Sequence, residues 1–141
     1  MAMSPCPNDT FMFDAMVNGR IDTEGLEFEV EYLDIEQLNG AALEQRYDIT
    51  KCSTAILSAI YDHYALLDSG SALGRGNGPL LVCRKGYEGA ISDIVVPGLH
   101  TTANLLTERL FTDIATRTPM LFSEIAGVVA EGKYDAGVLI H

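Results

Sequence analysis

The sequence predicts an α/β fold, and three observations carry that expectation. Nearly half of the 141 residues are apolar (48%), enough to build a packed core and too many for a disordered chain. Short runs of branched apolar residues alternate with longer stretches whose apolar positions recur at helical spacing. The order also repeats: "LEQRYDITKCS" (43–53) and "VAEGKYDAGVLIH" (129–141) each pass from a helix ending through a basic residue and Tyr-Asp into an apolar run. A β-α-β-α-β order in both halves implies parallel sheets with right-handed crossovers. The expected layout is a first lobe over 1–72, a crossover and hinge over 73–90, and a second lobe over 91–141.

In the first half, "SPCPNDTFMFDAMVNGR" (4–20) reads as a loop and then a helix, with Asn8 or Asp9 as N-cap and Gly19 closing it. The repeat requires a strand before Ser4, most of which the chain is expected to lack. "LEFEVEYLD" (26–34) alternates apolar and acidic residues, as a strand with one solvated face should. "IEQLNGAALEQR" (35–46) is an amphipathic helix, and "YDITKCS" (47–53) a short strand running into a helix that starts near Ser53. In the second half, "SDIVVPG" (92–98) is a buried strand and "TTANLLTERLF" (101–111) a helix with a threonine cap. "TPMLFS" (118–123) is a short strand, "SEIAGVVAEGK" (123–133) a helix capped by Ser123, and "YDAGVLI" (134–140) the last strand.

The totals exclude several classes of function. A net charge of −11, with nine Lys and Arg against 20 Asp and Glu, argues against nucleic acid or an anionic membrane as partner. It leaves room for a small anionic ligand, which local backbone dipoles can bind. No apolar run approaches the roughly 20 residues that span a bilayer. "MAMSPCPNDT" lacks the regions of a signal peptide, so a cytoplasmic location is expected. Cys6, Cys52 and Cys83 are widely spaced and form no C-x-x-C pair, which fits reduced thiols. Three histidines without ligand spacing predict no metal. The glycines at 74, 76 and 78 run into Pro79 and an apolar strand, so the strand-loop-helix context of a phosphate loop is missing.

Ligands in open α/β sheets bind beyond the carboxyl ends of strands, and four places there carry polar residues. In "SPCPNDTF", Pro5 and Pro7 stiffen a turn, and Asn8, Asp9 and Thr10 cluster where they either cap the helix or reach a ligand. In "TKCSTA", Lys51 is either a surface lysine or, beside Ser53 and free N–H groups, part of a carboxylate site. In "PGLHTTA", one threonine suffices for a cap, yet Thr101 and Thr102 are both present. His141 follows a strand of small and apolar residues, as a hydrogen-bonded terminus or as a general base.

Taken in order, "SPCPNDTF", "GRIDTEGLEFEVEYLDIEQLN", "DITKCS", "SGSALGRGNGPLLV", "VPGLHTTANLL" and "FSEIAGVVAEGKYDAGVLIH" resemble the 1,4-dihydroxy-6-naphthoate synthases of the futalosine route to menaquinone. The resemblance covers essentially the whole chain. It implies a two-lobed fold like the type 2 periplasmic binding proteins, of which this sequence would be the N-terminal half of a chain about twice as long. It also implies conversion of cyclic dehypoxanthinyl futalosine to 1,4-dihydroxy-6-naphthoate, a lyase reaction without organic cofactor or metal. By the same resemblance His141 is the proton acceptor. Lys51, Cys52 and Ser53, with Thr101 and Thr102 and the Asn8-Asp9-Thr10 turn, contact a small carboxylate substrate. Cys52 stands where the family is expected to carry an apolar residue. Two other readings share the fold: a solute-binding or ligand-sensing protein, and a chorismate dehydratase.

Overall fold

The alternation of elements produces two α/β units, Met1–Leu73 and Gly74–His141. The structure, a computed structural model, describes residues 1–76 and 78–140.

The first unit is organised around a strand of two residues. β1 (Ala2–Met3) pairs in parallel with β2 (Glu31–Tyr32), Ala2 opposite Glu31 and Met3 opposite Tyr32. On its other edge the Ala2 N–H donates to the Ile49 carbonyl and the Lys51 N–H to the Ala2 carbonyl, both at 2.9 Å. β1 is therefore flanked on both sides, and Ala2 and Met3 are buried at 0% and 1% exposure. The strand required before Ser4 is thus present, in two residues. Its shortness limits its neighbours: "LEFEVEYLD" pairs only at 31–32, and "YDITKCS" makes a single bridge, Ala2 with Thr50.

α1 (Pro7–Val17) begins two or three residues earlier than expected: Cys6 is the N-cap, and Pro7 takes the first helical position, where its missing N–H costs nothing. Asn8 and Asp9 therefore sit inside the first turn and do not cap. α2 (Ile35–Leu43) opens with a capping box, in which Asp34 accepts from the Glu36 and Gln37 N–H groups and the Gln37 side chain accepts from the Asp34 N–H. It buries Leu38, Asn39, Ala41 and Ala42. The stretch after Ser53 forms a 3₁₀ turn (Thr54–Ile56) and a short α3 (Leu57–Ile60), whose Ile56 and Ile60 pack on Ala42.

The second unit is a four-stranded sheet ordered β3-β6-β4-β5. β3 (Pro79–Cys83) is antiparallel to β6 (Ala136–Ile140), while β4 (Asp93–Val96) is parallel to β5 (Thr116–Pro119) and to β6. The expected purely parallel sheet is thus mixed. The strand after the glycine-rich segment joins this sheet at its edge, and an edge position accepts either direction. Alternation along β4 sends Ile94 and Val96 to one face, with Ala103 of α4 (Thr102–Leu110), and Val95 to the other, with Ile125 and Val129 of α5 (Phe122–Ala130). Helices therefore cover both faces. Ser123 lies within α5 and does not cap it; Leu121 is the N-cap residue. Among the described residues no helix is long and apolar enough to cross a membrane.

Candidate functional site

Residues just beyond β1 meet residues from sequence position 51 onward. Asp9 turns back from the first turn of α1, and its Oδ2 accepts from the Ser4 N–H at 3.1 Å and the Ser4 hydroxyl at 2.8 Å. Its Oδ1 lies 3.6 Å from Lys51 Nζ, with side-chain exposures of 9% for Asp9 and 21% for Lys51. Solvent screens such a pair less than one on the open surface. Lys51 Nζ also donates to the Gly70 carbonyl at 2.8 Å. An ammonium carries three N–H donors; among the described residues the Gly70 carbonyl takes one in a hydrogen bond, while Asp9 at 3.6 Å makes an ion pair. Lys51 is therefore no loose surface lysine; it is held from two sides.

Ser53 is fixed just as firmly. Its N–H donates to Asn39 Oδ1 at 2.8 Å and its Oγ accepts from Asn39 Nδ2 at 3.0 Å. Ser53 sits at the N-cap position of the 3₁₀ turn, but its side chain makes no capping bond, because Asn39 already engages it. Cys52 is half-buried against the Ala42, Ile56 and Ile60 cluster. Burial pushes its thiol above the ordinary range, opposed by the positive charge of Lys51. At neutral pH it is a neutral thiol, a small apolar packing group and no nucleophile. Thr10 donates to the carbonyls of Cys6 at 3.0 Å and Pro7 at 3.3 Å, turning its hydroxyl into its own helix. Asn8 lies on the exposed side of the same turn.

In the second unit Thr101 is the N-cap of α4. Its Oγ1 accepts from the Asn104 N–H at 3.1 Å and donates to the Gly98 carbonyl at 2.7 Å, and the residue is 2% exposed. That hydroxyl is committed in both directions to the cap. Thr102, the first residue of the helix, is half-buried. At the opposite end of β4 and β6 from these threonines, Asp135 accepts from the N–H groups of Ser92 and Asp93 and the hydroxyls of Tyr87 and Ser92. These donors, the Ser92 N–H foremost, lower its carboxyl to about 2. The Tyr-Asp of the second repeat thus ties the strand starts together. His141 lies outside the described residues.

A profile of the menaquinone-biosynthesis family matches residues 1–141. The chain belongs to that family. It is 42% identical over 144 residues to a Thermus thermophilus protein named 1,4-dihydroxy-6-naphthoate synthase, aligning 100% of this chain with 52% of that one. A Streptomyces coelicolor protein of the same name is 40% identical over 151 residues, again with 100% and 52% covered. A crystal structure of an Archaeoglobus fulgidus protein superposes with a TM-score of 0.92 at 38% identity, covering 99% of this chain and 52% of that one. The chain spans about half the length of the curated relatives it matches.

Within this family member, sequence reasoning named Lys51, Ser53 and Asp9, and the structure brings Asp9 to Lys51. It missed the partners that hold them. Ser4 binds the Asp9 carboxylate and Asn39 binds Ser53. A signal for the second was available: Asn39 lies between Leu38 and Ala41 on the apolar face of a helix, where an unsatisfied amide would be costly.

Proposed function

We propose that the chain forms part of a cytoplasmic 1,4-dihydroxy-6-naphthoate synthase, a lyase that acts on cyclic dehypoxanthinyl futalosine and releases a three-carbon fragment. Its fold would be the two-lobed one of the type 2 periplasmic binding proteins. Its substrate is a small carboxylate; nucleic acid, membrane, organic cofactor and metal have no part in it. The observation that supports this reading best is the match of this whole chain to about half of each of two relatives of that name, in a chain whose Lys51 ammonium is held by Asp9 and the Gly70 carbonyl.

In this reading the Lys51 ammonium supplies the charge for the substrate carboxylate and Ser53 a hydrogen bond. Asp9 and the Gly70 carbonyl keep the ammonium in place, and Cys52 packs beneath. Asn8 and Thr10 complete the turn on the Asp9 side, while Thr101 sets the turn that presents Thr102. His141 takes the proton that begins the elimination. An imidazole suits this task because its ordinary pKa lies near neutrality, so it is largely unprotonated at cellular pH and can still release the proton. Elimination from the sugar-derived portion then breaks its bond to the ring system, and the departing three-carbon fragment takes up a proton as the imidazole returns to its neutral form.

The test replaces His141 with Ala in the protein expressed from its complete gene. Product formation should fall by at least two to four orders of magnitude, roughly the contribution of a positioned acid–base group, with substrate binding still measurable by calorimetry. Near-normal turnover would remove His141 from the mechanism.

A further inference from the structure

Asn39 is the one fully buried polar side chain on α2, at 0% exposure. A primary amide placed in a packed helix face costs free energy unless both of its ends are bonded. Both ends of Asn39 go to a single residue: Oδ1 accepts from the Ser53 N–H at 2.8 Å, and Nδ2 donates to Ser53 Oγ at 3.0 Å. The orientation of the amide follows from its partner. A backbone N–H can only donate, so the oxygen must face it, and the nitrogen is left to face the hydroxyl.

This constrains the hydroxyl. A serine Oγ has one hydrogen and two lone pairs, and Asn39 occupies a lone pair. The hydrogen points elsewhere, and among the described residues it meets no acceptor. A serine that capped the following turn would instead use its oxygen as acceptor for a backbone N–H, and Ser53 makes no such bond. The residue is 9% exposed, so its hydroxyl has restricted access to water.

We infer that Asn39 is a positioning residue that orients Ser53 to donate its hydroxyl hydrogen to a ligand oxygen. The inference rests on the proposed naphthoate-synthase site, in which Ser53 contacts the substrate, and it gives that contact a direction: Ser53 gives a proton to a carboxylate or carbonyl oxygen. The Lys51 ammonium, two residues earlier, can only donate, so the two side chains together favour a group rich in acceptor oxygens.

Asn39→Asp tests this because it is nearly isosteric and reverses the polarity at one atom. The aspartate still accepts from the Ser53 N–H, but it presents an oxygen where Nδ2 was, and the Ser53 hydrogen turns toward it and is lost to the ligand. Steady-state kinetics with cyclic dehypoxanthinyl futalosine, on protein from the complete gene, should show KM raised about tenfold to a hundredfold for Ser53→Ala, the range of a hydrogen bond to a charged group. Asn39→Asp should show a rise of similar size, and the double variant should be no worse than Asn39→Asp alone. A purely structural Asn39 would lower the melting temperature and leave KM where it was. Should Asn39→Asp fail to fold, Asn39→Ala takes its place. It frees the hydroxyl to rotate, so KM should again rise. Unchanged KM in a folded Asn39 variant, or effects of Asn39→Asp and Ser53→Ala that multiply, overturns the inference while leaving the function standing. No turnover by the wild type overturns the functional reading, and the inference with it.

Discussion

Gly137 of β6 lies opposite Val95 of β4, under the helix α5. A Cβ built there would stand 2.6 Å from Ile125 Cγ2, 2.9 Å from Val129 Cγ2 and 3.3 Å from Val95 Cγ2. Carbon atoms in good contact sit at about 3.5–4.0 Å, so the nearest methyl must retreat by about 1 Å. All three neighbours are stiff β-branched side chains, so rotation offers little relief. Gly137→Ala therefore forces α5 off the sheet or a side chain out of its rotamer, at about 1–3 kcal/mol. The gain from reducing the freedom of the unfolded chain, about 0.4–1 kcal/mol, offsets part of this. Taking the middle of each range, the expected net loss is about 1.3 kcal/mol in chemical denaturation. Ile125→Leu removes the Cγ2 methyl that makes the shortest contact, so adding it to Gly137→Ala should recover part of the loss. A Gly137→Ala protein as stable as the wild type, or a double variant that simply sums two losses, would refute this packing of α5 on β6.

Other consequences are equally checkable. Asp135 has its carboxyl lowered to about 2, so its contribution to stability is complete above the unfolded value near 4 and disappears as pH falls through about 2. The gap in melting temperature between wild type and Asp135→Asn should accordingly be constant from pH 5 to 7, and close between pH 4 and 2. A pH-independent gap would mean that the Ser92, Asp93 and Tyr87 donors do not converge on it. Thr101→Val removes a hydroxyl that both accepts from Asn104 and donates to Gly98 in a buried cap; denaturation should show a loss of about 1–2 kcal/mol, whereas Thr101→Ser should be close to neutral. Gln45, exposed after α2, has φ of 57°, a left-handed conformation that costs a side-chain-bearing residue about 1–2 kcal/mol. Gln45→Gly should therefore raise stability by up to about 1 kcal/mol once the added freedom of the unfolded chain is subtracted.

What could be read from the sequence was what periodicity and local chemistry control. The strand at 93–96 with its apolar Ile94–Val96, the threonine cap at 101 and the strand leading to Ile140 all form as their residues dictate. Direction was not legible, because a strand pattern is the same whichever way the chain runs. β3 is antiparallel on account of where the preceding segment delivers it. Strand length was legible only in part: the alternation over 26–34 could support a longer strand, but β1 offers two residues to pair with. At the candidate site, Lys51 and Ser53 stood out by type and position. Their holders did not. Asp9 was read as a helix cap or a ligand contact, not as the partner of Lys51, yet Pro7 starts the helix earlier and leaves Asp9 to meet a partner 42 positions away. Asn39 reaches across 14 positions to Ser53. Both pairings are products of the tertiary fold, which local propensity does not encode.

The central proposal is catalytic: the complete protein would carry out one elimination on one carboxylate substrate, with Lys51 and Ser53 binding it and His141 taking the proton. Incubating protein from the complete gene with cyclic dehypoxanthinyl futalosine, and with chorismate in parallel, and following both by mass spectrometry tests it most directly. The account predicts that the first compound is consumed with stoichiometric appearance of 1,4-dihydroxy-6-naphthoate, while chorismate is recovered unchanged. Recovery of cyclic dehypoxanthinyl futalosine bound but unconverted would make the protein a binder, and dehydration of chorismate would make it a different enzyme; either result contradicts the account.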